Sequence, residues 1–170
     1  MEETIINRVA NSALITIDLE ELYDQGERVL YDIKHNLFQE MILKERDFRS
    51  FLKEHDWSQY ADKNVAIHCS VDAIVPTWAF MLLANKLQPH AKNVVFGNLE
   101  DLEKELFNQA LSKIKAEEYV DAKVVVKGCS KVEVPVSTYV EITRMLPPYA
   151  ASIMYGEPCS TVPIYKKPKS

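Results

Sequence analysis

The chain has 170 residues, 47% of them apolar, and a formal net charge of −5. That length and apolar share suit a single compact domain, residues 1–170, with a sizeable core, and they exclude disorder except in the tail after Tyr165. The acidic balance argues against nucleic acid as a main partner, and the terminal Lys166, Lys167 and Lys169 read as a solvated tail.

The first six residues, Met-Glu-Glu-Thr-Ile-Ile, are acidic and lack a signal-peptide pattern. Residues 1–60 read as an α+β segment packed on the remainder of the chain. Ile5, Ile6 and Val9 suggest a short helix over 3–11. Residues 14–18 and 28–33 suggest strands, with 37–43 a candidate third. Phe48, Phe51 and Leu52 fall at helical spacing within 44–55. No Gly/Pro/Ser-rich linker separates this segment from residue 61 onward.

Beyond residue 60 the chain repeats itself. Lys63-Asn-Val-Ala-Ile-His-Cys-Ser-Val-Asp-Ala-Ile-Val-Pro76 aligns with Lys123-Val-Val-Val-Lys-Gly-Cys-Ser-Lys-Val-Glu-Val-Pro135 across a one-residue gap. Leu87-Gln-Pro89 then falls on Leu146-Pro-Pro148, and Val94-Val-Phe-Gly97 on Ile153-Met-Tyr-Gly156. A repeat of this size is one supersecondary unit used twice. Each copy reads as strand, loop, helix, loop, strand: a first βαβ unit over 61–98 and a second over 121–165, followed by a flexible tail, 166–170. The strands are 64–67, 94–96, 123–127 and 153–155. Pro76 and Pro135 suit helix entry. The first helix, 77–86, is apolar nearly all round and is expected to be buried. The second, 138–146, has capping-box spacing in Thr138 and Glu141. The stretch 73–84 is apolar but contains Pro76 and is too short to cross a bilayer, so no membrane partner and a cytoplasmic location are expected.

A helix joins the copies within 99–115. Leu99, Leu102, Leu106, Ala110 and Ile114 form one stripe, Asn98 is a good N-cap, and the charges of Glu100, Asp101, Lys113 and Lys115 match the helix dipole. Alternating strands and helices imply an α/β fold with a doubly wound, mostly parallel sheet and right-handed crossovers. The expected order of the four core strands is 2-1-3-4, with a crevice at the switch point.

Each of the three cysteines precedes a serine and leads to a Val-Pro step: Cys69-Ser70, Cys129-Ser130 and Cys159-Ser160. An odd thiol count in a reducing compartment argues against structural disulfides. In the expected topology the three thiols meet at the carboxyl edge of the sheet and hold a metal: an iron–sulfur cluster, or zinc. Asp72 and Glu157 are candidate further ligands. Ser70, Ser130 and Ser160 would hydrogen-bond around the sulfurs or cap the next helix. No C-x-x-C pair supports the usual zinc or ferredoxin spacing. Two other readings stand beside this one. A cysteine preceding a helix suits a thiol enzyme acting on a small anionic substrate, since helix N-termini attract anions. Alternatively the cysteines are small core residues, and the chain is a non-catalytic interaction module.

Several blocks carry a resemblance: Leu14-Ile-Thr-Ile-Asp-Leu-Glu-Glu21, Ile42-Leu-Lys-Glu45, His55-Asp-Trp-Ser-Gln-Tyr60, Val75-Pro-Thr-Trp-Ala79, Val94-Val-Phe-Gly97 and Met154-Tyr-Gly-Glu-Pro-Cys-Ser-Thr-Val-Pro-Ile-Tyr165. Together they resemble the bacterial family catalogued as domain of unknown function 2480, over nearly the whole chain. The resemblance implies a cytoplasmic protein of Bacteroidetes type and supplies no catalytic residues. Through a loose association with sulfur mobilisation it points to iron–sulfur assembly proteins as partners. A homodimer is an open option.

Overall fold

The Val- and Ile-rich runs form two separate sets of hydrogen-bonded strands in the computed structural model, which describes residues 7–8, 14–128 and 131–170. In chain order the elements are β1 (Asn7–Arg8), β2 (Leu14–Asp18), β3 (Arg28–Asp32), α1 (Glu45–Glu54), β4 (Asn64–His68), α2 (Thr77–Leu87), β5 (Asn93–Phe96), α3 (Leu99–Ser112), β6 (Lys123–Lys127), α4 (Val136–Met145), β7 (Ser152–Glu157) and β8 (Ser160–Lys166). Short 3-10 turns at Leu19–Leu22, Ile33–Asn36, Trp57–Tyr60 and Ala116–Tyr119 lead out of β2 and β3 and into β4 and β6. The chain divides into two units. Unit 1 is Met1–Asp24 with Leu106–Ser170, and unit 2 is Gln25–Glu105.

Unit 2 holds the sheet β3-β4-β5, all parallel, with Asp32 opposite His68 and Ile67 opposite Phe96. Val65 and Ala66 in the central strand are completely buried, as a strand covered on both faces requires. Phe48 and Leu52 lie one helical turn apart on α1, and Ala79, Leu83 and Leu87 follow the same spacing on α2. These five pack with Val65, Ile67, Tyr31 and Trp57 into one cluster. Full burial of each large side chain stabilises the fold by about 1.5–3 kcal/mol. The Trp57 indole donates to the Leu52 carbonyl at 2.9 Å, so the ring is buried without an orphaned N–H.

Unit 1 holds the sheet β1-β2-β6-β7-β8. Its inner strands β2, β6 and β7 are parallel, and the outer two run antiparallel to their neighbours. Ile17, Val124, Val126 and Ile153 from the sheet meet Leu111, Ile114, Tyr119, Ile142 and Leu146 in its core. The register of β8 on β7 shifts at Ile153/Met154. Pro163, which has no N–H, stands beside that irregularity, the setting in which an edge strand tolerates proline.

The mixed α/β class with mostly parallel strands is as expected from sequence; the strand order is not. β4 lies between β3 and β5, and β6 between β2 and β7, so β4 and β6 are not neighbours and the order 2-1-3-4 is not formed. The cause lies in the first sixty residues. β2 and β3 are full sheet members, each taking the place beside a central strand that the expected order gave to the other repeat. Residues 37–43 hold only isolated bridges, Phe38 to Ile42 and Ile42 to Ile74. In the expected helix over 3–11, Asn7–Arg8 is extended and the rest lies outside the described residues. α2 is not buried all round, because Met81 is 67% exposed on the side opposite Leu83. The Thr138–Glu141 capping box is absent. α4 begins earlier, at Val136 after Pro135, and Thr138 sits inside it, buried, with no hydrogen-bond partner for its hydroxyl among the described residues. The Asn98 cap is present: Asn98 Oδ1 accepts from the Asp101 amide at 3.0 Å, and Asp101 returns a bond to the Asn98 amide at 2.9 Å.

Local geometry recurs between the units at a constant offset in residue number. The Asp62 amide donates to His90, and the Asp121 amide to Tyr149. Both aspartates have positive φ, 59° and 57°. Ala79 donates to Pro76 and Thr138 to Pro135; Lys92 donates to Lys63 and Ala151 to Ala122.

Candidate functional site

The carboxyl ends of the parallel strands are the first place to look for chemistry. In unit 2, Asp32 closes β3 and caps the turn after it, accepting from the Lys34 amide at 3.0 Å. The same oxygen accepts from the Ser70 amide at 3.2 Å, tying the loop after β4 to β3. His68 Nε2 stands 3.8 Å from the other oxygen. Burial pushes the Asp32 carboxyl up, but the hydrogen bonds from Ser70 and Lys34 outweigh it and hold it below its ordinary value. Unit 1 repeats the device. Asp18 caps the turn after β2 through the Glu20 amide, and Glu20 Oε1 accepts from the Lys131 amide at 2.9 Å. Lys127 lies 3.8 Å from Asp18 and 3.4 Å from Glu157, and Glu157 above all, with Asp18, raises its pKa. At each edge, a backbone N–H that an anion would seek already holds a carboxylate.

The sequence-predicted site residues are divided between the units. Cys69, Ser70 and Asp72 belong to unit 2, and Glu157, Cys159 and Ser160 to unit 1; Cys129 and Ser130 lie outside the described residues. The Cys69 thiol donates to the Val71 carbonyl at 3.4 Å and packs against the unit 2 core. Cys159 is exposed in the turn between β7 and β8. Its Val162-Pro163 step is part of a strand, not a loop before a helix. Counted from strand ends, the residue after β4 is Cys69 and the residue after β6 is Gly128, so the first two Cys-Ser pairs are out of step by one. Among the described residues, no group of three or more His, Cys, Asp or Glu side chains could hold a metal ion. No helix among them is long and apolar enough to cross a membrane.

Two features escaped the sequence reading. The first is a pair of aromatic contacts at matching positions. Phe80 meets Phe96 edge-on with ring centroids 5.2 Å apart, and Tyr139 meets Tyr155 edge-on at 5.8 Å. Both pairs join the helix to the last parallel strand, and both strand residues are exposed, Phe96 at 69% and Tyr155 at 46%. The equal spacing of Phe80…Phe96 and Tyr139…Tyr155 was the available signal. The second is a set of hollows along those same elements. In unit 1 a hollow of about 380 Å³ is lined mainly by Val126, Val136, Tyr139, Ile153, Met154 and Tyr155. In unit 2 one of about 660 Å³ is lined by Ala84, Asn85, Gln88, Ala91, Lys92, Asn93 and Val94. Tyr139 also reaches over Gly128, where its hydroxyl fills the space a Cβ would need.

A family model described as "Protein of unknown function (DUF2480)" matches residues 3–167, and the chain belongs to that family. No curated protein and no solved structure matches the chain.

Proposed function

We propose, for this member of the DUF2480 family, that the chain is a non-catalytic interaction module, and that the face of unit 2 formed by α2 and β5 receives a segment of a partner protein. The observation that carries the reading is the exposure of Phe96 (69%) at the end of β5 and of Met81 (67%) on α2, the helix whose Phe80 meets Phe96, together with an outer edge of β5 that pairs with no strand among the described residues. Large apolar side chains grouped along an open sheet edge favour association over solution. β5, Asn93-Val-Val-Phe96, contains no proline and no charged residue, the usual devices that discourage pairing.

The recurrent hydrogen bonds and aromatic pairs support a duplication larger than the βαβ units read from sequence. Each copy takes in a strand, a 3-10 turn, a helix, a second turn, a strand, a helix and a last strand. In unit 1 the first strand and turn are separated from the rest by the whole of unit 2. The competing readings have less behind them. An anionic substrate would have to displace the carboxylates of Asp32 and Glu20 from the loop amides. A three-thiol metal centre has no described ligand group to build on, and assembly proteins as partners rest on that centre.

The test is selection of displayed random peptides on the purified full chain and on a Met81→Asp/Phe96→Asp variant; both positions are exposed, and the second substitution also removes the contact with Phe80. A consensus selected by the wild type and not by the variant, with a cooperative melting transition retained by the variant, is the expected result. No consensus, or the same consensus on both, overturns the reading.

A further inference from the structure

Unit 1 shows what fits along an edge such as that of β5, which no strand among the described residues covers. There, β8 runs antiparallel along β7 and places Tyr165 opposite Ile153. The Tyr165 hydroxyl donates to the Pro147 carbonyl at 3.3 Å, and the ring packs on the unit 1 core. Two residues on, the Lys167 amide donates to the Ala151 carbonyl at 2.8 Å, and its ammonium lies 3.3 Å from Asp121. At the offset that relates the two units, Ile153, Pro147 and Ala151 correspond to Val94, Gln88 and Lys92. All three line the 660 Å³ hollow of unit 2. Asp121 corresponds to Asp62, which shares its positive φ and its hydrogen bond across to the loop after the helix.

We infer that unit 2 binds an extended segment of a partner protein, antiparallel to β5, that places a tyrosine in the hollow between α2 and β5 and a basic residue, two positions later, against Asp62. This rests on the interaction-module reading and names its ligand. Strand addition supplies main-chain hydrogen bonds that are blind to sequence, and a side-chain pocket beside the edge supplies specificity. The hollow is lined by Asn85, Gln88 and Asn93, which suits a ring that carries a hydroxyl better than a purely apolar one. Asp62 is exposed, so its attraction for the basic residue selects among segments more than it adds affinity.

The probe is a capped synthetic peptide, Ser-Thr-Val-Pro-Ile-Tyr-Lys-Lys, copied from Ser160 to Lys167, titrated into the full chain. Binding is read by calorimetry and by amide exchange. The expected result is slowed exchange at those amides of β5 that face away from β4, with affinity falling at least about tenfold when the peptide tyrosine becomes alanine. Replacing the last peptide lysine by glutamate weakens binding, and Asp62→Lys in the protein restores it. The inference is overturned by absence of binding, by indifference to the tyrosine, or by slowed exchange at β7 instead of β5, which would mean displacement of the chain's own β8. If the displayed-peptide selection succeeds while this peptide fails, the module stands and the strand ligand falls. If both fail, both fall.

Discussion

The hydroxyl of Tyr139 occupies the space that a side chain on Gly128 would need, so glycine at the end of β6 and tyrosine on α4 are complementary choices. Gly128→Ala therefore forces the ring off its site and loosens its edge-on contact with Tyr155. The expected cost is about 1–3 kcal/mol, the range for overpacking. Tyr139→Phe removes the clashing oxygen, so the double variant should recover part of that loss. A double-mutant cycle in urea measures the coupling, and additive effects would refute it.

Asp32 gives unit 2 a pH dependence of definite sign. Its folded pKa lies below the ordinary 3.8, so the ionised carboxylate stabilises the fold at every pH above that value. The contribution is lost as pH falls below about 3.8 and through the folded pKa. Asp32→Asn keeps an oxygen that can accept from Lys34 and Ser70 but loses the charge, so it should lower stability at pH 7 by roughly 0.5–1.5 kcal/mol, the difference between charge-assisted and neutral hydrogen bonds, and should flatten the decline on the acid side of pH 4. Urea midpoints across that range decide the matter; a parallel decline in both proteins would rule the assignment out.

Tyr165 anchors β8 by packing and by one hydrogen bond. Tyr165→Phe should cost about 1 kcal/mol, the net worth of a neutral hydrogen bond. Tyr165→Ala should cost about 2–4 kcal/mol and speed amide exchange in β8 first. Equal effects of the two substitutions would mean that the ring itself contributes nothing.

The thiols differ in setting, and their reactivity should track that difference. In a Cys129→Ser background, Cys159 is exposed while Cys69 is half-buried and donates to Val71. Iodoacetamide should modify Cys159 at least about tenfold faster, because its sulfur is open to the reagent and that of Cys69 is partly covered. Mass spectrometry of timed digests reads the order, and faster labelling of Cys69 would mark it as an activated nucleophile.

How much of the fold and the site the sequence revealed depended on how local each signal was. The Val-rich runs of β4 and β6 and the Asn98/Asp101 cap are set by neighbours in the chain, and they were legible. Which strand lies beside β4 depends on Arg28–Asp32, a run with a charge at each end that reads as peripheral from sequence; in the fold, the Arg28 guanidinium is satisfied by Glu103. The gap used to align Cys69 with Cys129 in the thiol motif is not supported by the strand ends, which set Cys69 against Gly128. Val162-Pro163 looked like a third copy of that motif, whereas its proline is tolerated beside the shifted register of an edge strand. The groove beside β5 left no local trace. It becomes visible only when Tyr165, at the far end of the chain, is seen filling the matching groove of unit 1.

The interruption of unit 1 by unit 2 has a kinetic consequence. β2 is synthesised before unit 2, yet its hydrogen-bonded neighbour β6, with Ile15 opposite Val124, is made only after all of unit 2 has been synthesised. Unit 2 has every strand of its sheet within one continuous stretch, so it can collapse while β2 still waits. Nascent chains halted far enough along for residue 105, but not β6, to have cleared the ribosomal exit tunnel should therefore already resist protease between residues 25 and 105, with β2 still open to cleavage.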